Sequence, residues 1–258
     1  MLSVQVKPAI YPAPAASGQQ ARNPSAAFPH YRPGRIDHSP PAVPVAKGAT
    51  LLDLTRLQSI ICTTRKVKRG NALYRTHDPF DSIYTVRAGC FKTVITHRDG
   101  KEQVTGFQFM GEALGLDGLC TERHNCDAIA LEDSEVSVIR FALLASLLCH
   151  QVSSIQHHFY RVLSGEIVRE SSHMMMLGTM SAEQRVAAFL LDLSVRMKAR
   201  GYSPVDFYLR MTREEMGNYL GIKLETVSRM FSKLQKQGLV DAHGKQIRIV
   251  NPLGLSRV

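Results

Sequence analysis

The chain has 258 residues, 44% of them hydrophobic, and carries 32 Lys and Arg against 22 Asp and Glu, a formal net charge of +10. That length and apolar content suit two domains of ordinary size with real cores. With no run of 18 apolar residues, no secretory signal at the N-terminus and five cysteines that form no CxxC pair, a cytoplasmic protein without a membrane partner is expected.

In chain order, nine of the twelve prolines fall within residues 1–44, among Ala, Ser, Gly and Gln, so residues 1–48 are expected to form a disordered tail. A short helical pattern (Leu51, Leu54, Leu57, Ile60, Ile61) opens a region 49–152 of strand-like segments: "DSIYTVRAG", "CFKTVITHRDGKEQVTGF", "GEALGL" and "DAIALEDSEVSVIRF". The Asp99-Gly100 pair between alternating segments signals a hairpin, and the close spacing of strands over roughly 66–141 predicts a small barrel or roll.

After Phe141 the apolar period changes to that of a helix, and one long helix is expected over 153–180. Its apolar residues occupy more than one face, so it can pack on its own roll and still offer Ile155, Phe159, Val162 and Ile167 to a second copy as a homodimer. The methionines at 174–176 read equally well as adaptable core.

Residues 181–258 read as a DNA-binding domain. Thr212 and Glu215 make a capping box that starts a helix at Arg213, Gly221 ends it, and a second helix carries Val227, Met230, Phe231 and Leu234 on one side. The other side carries Glu225, Ser228 and Arg229 at positions i, i+3 and i+4, followed by a hairpin around His243-Gly244. Helix, glycine turn, polar-faced helix and wing is the winged helix-turn-helix plan. Arginine can donate twice to guanine, a carboxylate can accept from cytosine, and serine suits either polarity, so this face is expected to read double-stranded DNA. Thr212 and Arg213, at the first helix start, join the DNA-binding set. The basic excess sits where such a partner would be met: residues 181–258 hold thirteen Lys and Arg against seven acids, while residues 51–180 hold fourteen of each. No phosphate loop, HExxH motif or nucleophile elbow is present, and no enzyme is expected.

The stretches "GFQFMGEALGLDG", "VLSGEI", "AEQRVAAFLLDLSVR" and "GYSPVDFYLRMTREEMGNYLGIKLETVSRMFSKLQKQG" resemble the bacterial CRP/FNR transcription regulators, and most nearly their FNR (fumarate and nitrate reduction) branch. The resemblance implies an α+β chain with an N-terminal β-roll sensor domain of cyclic-nucleotide-binding type, a long dimerisation helix and a C-terminal winged helix-turn-helix. It implies that Glu225, Ser228 and Arg229 form the branch's E-x-x-S-R reader of TTGAT half-sites, and that "THRDGKEQ" touches RNA polymerase. Lys101 departs there from an acid in an FNR relative. The branch's iron–sulfur cluster is not expected, because residues 1–61 contain no cysteine and Ser137 stands at the internal ligand position. The cyclic-phosphate clamp is also missing: Asn125 and Cys126 replace its Arg-Ser pair and Leu116 its glutamate. Arg123 stands two residues away. Three signals stay open: a thiol pair, Cys120 and Cys126, with a pKa lowered by Arg123 and His124; haem or another small effector; and no ligand at all.

Overall fold

The computed structural model describes residues 62–149 and 153–258; the expected tail and the helical pattern at 51–61 lie outside them. Eight strands come first: β1 (Cys62–Val67), β2 (Ala72–Tyr74), β3 (Ser82–Ala88), β4 (Cys90–Thr96), β5 (Glu102–Phe109), β6 (Ala113–Leu114), β7 (Asp127–Ala130) and β8 (Ser134–Arg140). They form two four-stranded antiparallel sheets, ordered β1-β8-β3-β6 and β2-β7-β4-β5. Tyr84, Val86 and Val136 of the first sheet meet Leu73, Phe91, Ala128 and Ala130 of the second, which makes the interior of the roll. Gly100, at φ 82, closes the β4–β5 hairpin expected from Asp99-Gly100. β1 extends the roll before residue 66; its residues Thr63 to Lys66 are exposed, and pairing with β8 makes them a strand.

Two layers cover the roll. On the outer face of the first sheet, Ile83, Ala113 and Ile139 pack against Leu144 of helix α1 (Phe141–Cys149) and against Ile155 and Phe159 of helix α2 (Ser153–Thr179). On the second sheet, Cys90, Val94, Val104, Phe107 and Phe109 share one core with helix α3 (Ala182–Ala199) and the C-terminal domain. That domain contains β9 (Asp206–Tyr208), α4 (Arg213–Leu220), α5 (Leu224–Lys236), β10 (Val240–His243), β11 (Gln246–Ile249) and α6 (Pro252–Leu255), with a sheet ordered β10-β11-β9.

A buried charge cluster seals the seam. Glu112, in the turn after β5, pairs with Arg196 of α3 at 2.6 Å and with Arg200, and Arg196 also holds Asp192 at 3.1 Å. The Arg196 guanidinium lies 4.7 Å above the Phe109 ring and donates to the Phe107 carbonyl. Burial works against the Glu112 carboxylate, yet the guanidinium groups prevail and hold its pKa at about 2.

Candidate nucleic-acid interface

Helix α4 begins where its capping box places it. The Thr212 hydroxyl accepts from the Glu215 N–H at 3.1 Å, and the Glu215 carboxylate accepts from the Thr212 N–H at 2.7 Å. Gly221, at φ 63, ends it in the left-handed region. Gly217 lets the helices close: a Cβ there would lie 2.6 Å from the Ile222 carbonyl and 3.3 Å from Val227. Helix α5 then buries Val227, Phe231 and Leu234.

Glu225, Ser228 and Arg229 are all exposed on the opposite side of α5. Arg229 Nη2 donates to Thr226 Oγ1 at 3.1 Å. A shallow groove of about 400 Å³ runs along Ser228, Arg229, Ser232, Lys233 and Lys236. The three predicted readers therefore share one solvent-facing side of a helix whose exposed cations suit a polyanion.

The other two predicted DNA contacts are engaged within the chain. Thr212 is exposed, but its hydroxyl is the α4 cap. Arg213 is half-buried: its guanidinium lies 3.4 Å over the Phe231 ring, and Nη2 donates to the Gly244 carbonyl of the wing at 3.2 Å. Burial lowers its pKa to about 10, so it is still a cation at neutral pH. Its side chain is thus placed to brace α5 and the wing, a role that depends on partners distant in sequence. A cleft of about 460 Å³ separates those two elements, lined by Arg213, Ser228, Phe231, Gly244 and Lys245.

The residues expected at a dimer contact divide. Ile155 and Phe159 are buried in the chain's own core and Val162 is packed against it, while Ile167 is exposed. The exposed line on α2 instead follows Tyr160, Ser164, Ile167, Ser171, Met174 and Gly178. Those positions step alternately by four and three, the spacing of a coiled-coil seam.

In the roll, Asp117 gathers the groups around Asn125 and Cys126. Its carboxylate accepts from the Asn125 N–H at 2.7 Å, from the Cys126 thiol at 3.5 Å and from the Tyr74 hydroxyl at 3.4 Å. His124, 1% exposed, stacks on Tyr74 with ring centres 3.7 Å apart, and its Nδ1 lies 3.4 Å from Asp117. Arg123 donates to the His77 carbonyl at 2.8 Å. Cys120 and Cys126 are free thiols, the first exposed and the second buried. The expectation of a lowered pKa is reversed at Cys126, where burial and then the Asp117 carboxylate push the thiol up.

The donor set of a family iron–sulfur cluster does not fit the described residues. Among the described residues no three His, Cys, Asp or Glu side chains gather where they could hold a metal ion, and the free thiols divide between buried (Cys90, Cys126) and exposed (Cys120, Cys149) positions. Ser137 is 1% exposed in β8, with a buried hydroxyl that has no hydrogen-bond partner.

Comparison with known proteins agrees with this architecture. Residues 64–151 match the model of the cyclic nucleotide-binding domain and residues 184–258 that of the Crp-like helix-turn-helix domain. The chain is 43% identical over 216 residues to the transcriptional regulatory protein btr of Bordetella pertussis, covering 84% of this chain and 88% of that one. It is 40% identical over 206 residues to the transcriptional activator protein anr of Pseudomonas aeruginosa, covering 80% and 84%. Among solved structures, FixK2 from Bradyrhizobium japonicum superposes with a TM-score of 0.70 at 29% identity, over 77% of this chain and 97% of that one. A β-roll joined by a long helix to a winged helix-turn-helix, with relatives this similar along most of its length, places the chain in the CRP/FNR family of transcription regulators.

Proposed function

We propose that this regulator binds, as a homodimer, a palindrome of TTGAT-type half-sites, with Glu225, Ser228 and Arg229 of each copy reading base edges in the major groove, and that it contacts RNA polymerase from the promoter. The observation that carries the reading is the joint exposure of those three side chains on α5. The exposed seam on α2 supports the two-fold arrangement that a palindrome requires. Among the described residues no helix is long and apolar enough to cross a membrane.

The test is binding of purified protein to the palindrome and to scrambled DNA at fixed salt. Arg229→Ala is expected to cost about 1–3 kcal/mol per half-site and to relax preference at the guanine it reads. Unchanged preference in that variant would remove α5 from the role of reader.

A further inference from the structure

We infer that Lys92 and Asn218 are positioning residues that set the separation between half-sites the protein accepts, by fixing α4 onto the edge of the roll; the inference rests on the dimeric, palindrome-binding reading.

β5 is the outer strand of its sheet, so half of its backbone groups face away from the ladder. Asn218 of α4 meets two of them: its Oδ1 accepts from the Val104 N–H at 2.5 Å, and its Nδ2 donates to the Glu102 carbonyl at 2.8 Å. The side-chain amide thus takes the place of one residue of a further strand. Gln103 reciprocates, donating from Nε2 to the Asn218 carbonyl at 2.6 Å. A paired donor and acceptor define a register along β5, which a purely apolar contact would not.

One helical turn away on α4, Glu215 accepts from Lys92 Nζ at 2.8 Å, with both side chains largely buried. The same Glu215 carboxylate caps α4, so the helix start and its attachment to β4 share one group. Burial opposes ionisation of Glu215, and the bond from Lys92, with those from Thr212, nonetheless holds its pKa below the usual range.

The far side of α4 is fixed as well. His173 of α2 stacks on Tyr219 with ring centres 4.1 Å apart and lies 2.9 Å from the Tyr219 carbonyl, while Arg185 donates to the carbonyls of Leu220 and Leu177 at 2.9 and 2.7 Å. Helix α4 is therefore held between the roll edge and the helix that carries the exposed seam. Because the tight turn at Gly221 leads from α4 into α5, the place of α4 decides where the reading face lies relative to a second copy. Changing the half-site separation by two base pairs displaces the second site by about 7 Å and rotates it by about 70°. A rigid attachment rejects that change, and a loosened one accommodates it.

The experiment uses full-length protein, a set of palindromes with the same half-sites at separations altered by up to about two base pairs, and DNA with a single half-site. Lys92→Met and Asn218→Ala are expected to lower the preference for the best separation about tenfold, the order of one lost hydrogen bond, with single half-site binding unchanged. Lys92→Arg, which keeps the ion pair, should retain the preference. Amide exchange of the β5 segment should quicken in Asn218→Ala. If both variants keep the wild-type preference, or lose single half-site binding as much as palindrome binding, the positioning role is wrong while the palindrome reading stands. Wild-type protein indifferent to separation overturns both.

Discussion

The Arg213 guanidinium lies 3.4 Å over the ring of Phe231, with one of its nitrogens on the Gly244 carbonyl. One side chain from the start of α4 thereby joins the buried side of α5 to the tip of the wing. Arg213→Met keeps the stem but removes the cation and the donor. It is expected to lower stability by about 1–2 kcal/mol, the worth of a desolvated cation–π contact and a hydrogen bond. With the guanidinium already seated on Phe231 and the Gly244 carbonyl, the salt dependence of DNA binding is expected to be unchanged. Loss of a phosphate contact would instead reduce the slope by about 0.9. Thermal melts and binding titrations across a salt series check the two effects separately.

The Glu112 cluster makes stability depend on acid. The folded pKa of about 2 lies below the ordinary glutamate value of 4.5, so the contribution is fully present above about 4.5 and is lost as pH falls towards 2. Glu112→Gln should be destabilised at neutral pH by about 3–5 kcal/mol, because Arg196 and Arg200 then lose a buried counter-charge. Its stability should also vary less between pH 4.5 and 2 than that of the wild type. Denaturant unfolding followed by circular dichroism at several pH values measures both. Parallel acid profiles for the two proteins would contradict the assignment.

Much of this organisation was legible because it is written locally. Thr212 and Glu215 stand three residues apart, Asp99 and Gly100 are adjacent, and Glu225, Ser228 and Arg229 fall within about a turn, so each pattern predicts its own geometry. What escaped depends on distant partners. β9 is only three residues, Asp206–Tyr208, and becomes a strand by pairing with Gln246, Ile247 and Arg248. Arg213 reads as a DNA contact, and the Phe231 ring beneath its guanidinium is a partner that spacing alone does not reveal. Asn218 looks like a surface residue because sequence does not reveal that β5 is an outer strand. The apolar pattern of α2 was visible, but not which apolar residues the roll would cover, and Ile155 and Phe159 went to the core.

Thiol chemistry should follow burial. Cys120 and Cys149 are exposed, whereas Cys90 and Cys126 are buried with their thiols pushed up, so alkylation of native protein is expected at the first pair and not at the second. Site-resolved mass spectrometry reads this directly. Protein prepared in air and without oxygen should shift the palindrome equally and contain no iron or sulfide. A brown anaerobic preparation that loses both colour and DNA binding in air would show that the chain assembles a cluster after all.

The exposed seam of α2 gives the sharpest test of assembly. Tyr160, Ile167 and Met174 recur every seven residues and are 62%, 67% and 66% exposed. Ser164, Ser171 and Gly178 alternate with them, so in a parallel pair about the two-fold axis each position meets its own copy, and bulky layers alternate with small ones, a knobs-into-holes arrangement. Glu166 and Arg169 pair with each other at 3.1 Å beside this line, which leaves the seam itself uncharged at its centre. Ile167 occupies that centre. In a two-fold interface each substitution acts twice, so Ile167→Glu forfeits the burial of two isoleucines and places two like charges together. The expected loss is about 3 kcal/mol or more, a rise of at least about 100-fold in the dimer dissociation constant. Sedimentation equilibrium should show a monomer at concentrations where the wild type is dimeric, with the thermal melt of the monomer cooperative. Palindrome binding should fall to the level of a single half-site. Ile167→Leu, similar in volume and apolar, should retain the dimer. If Ile167→Glu sediments as the wild type does, the two copies meet through another face and the seam is ordinary helix surface.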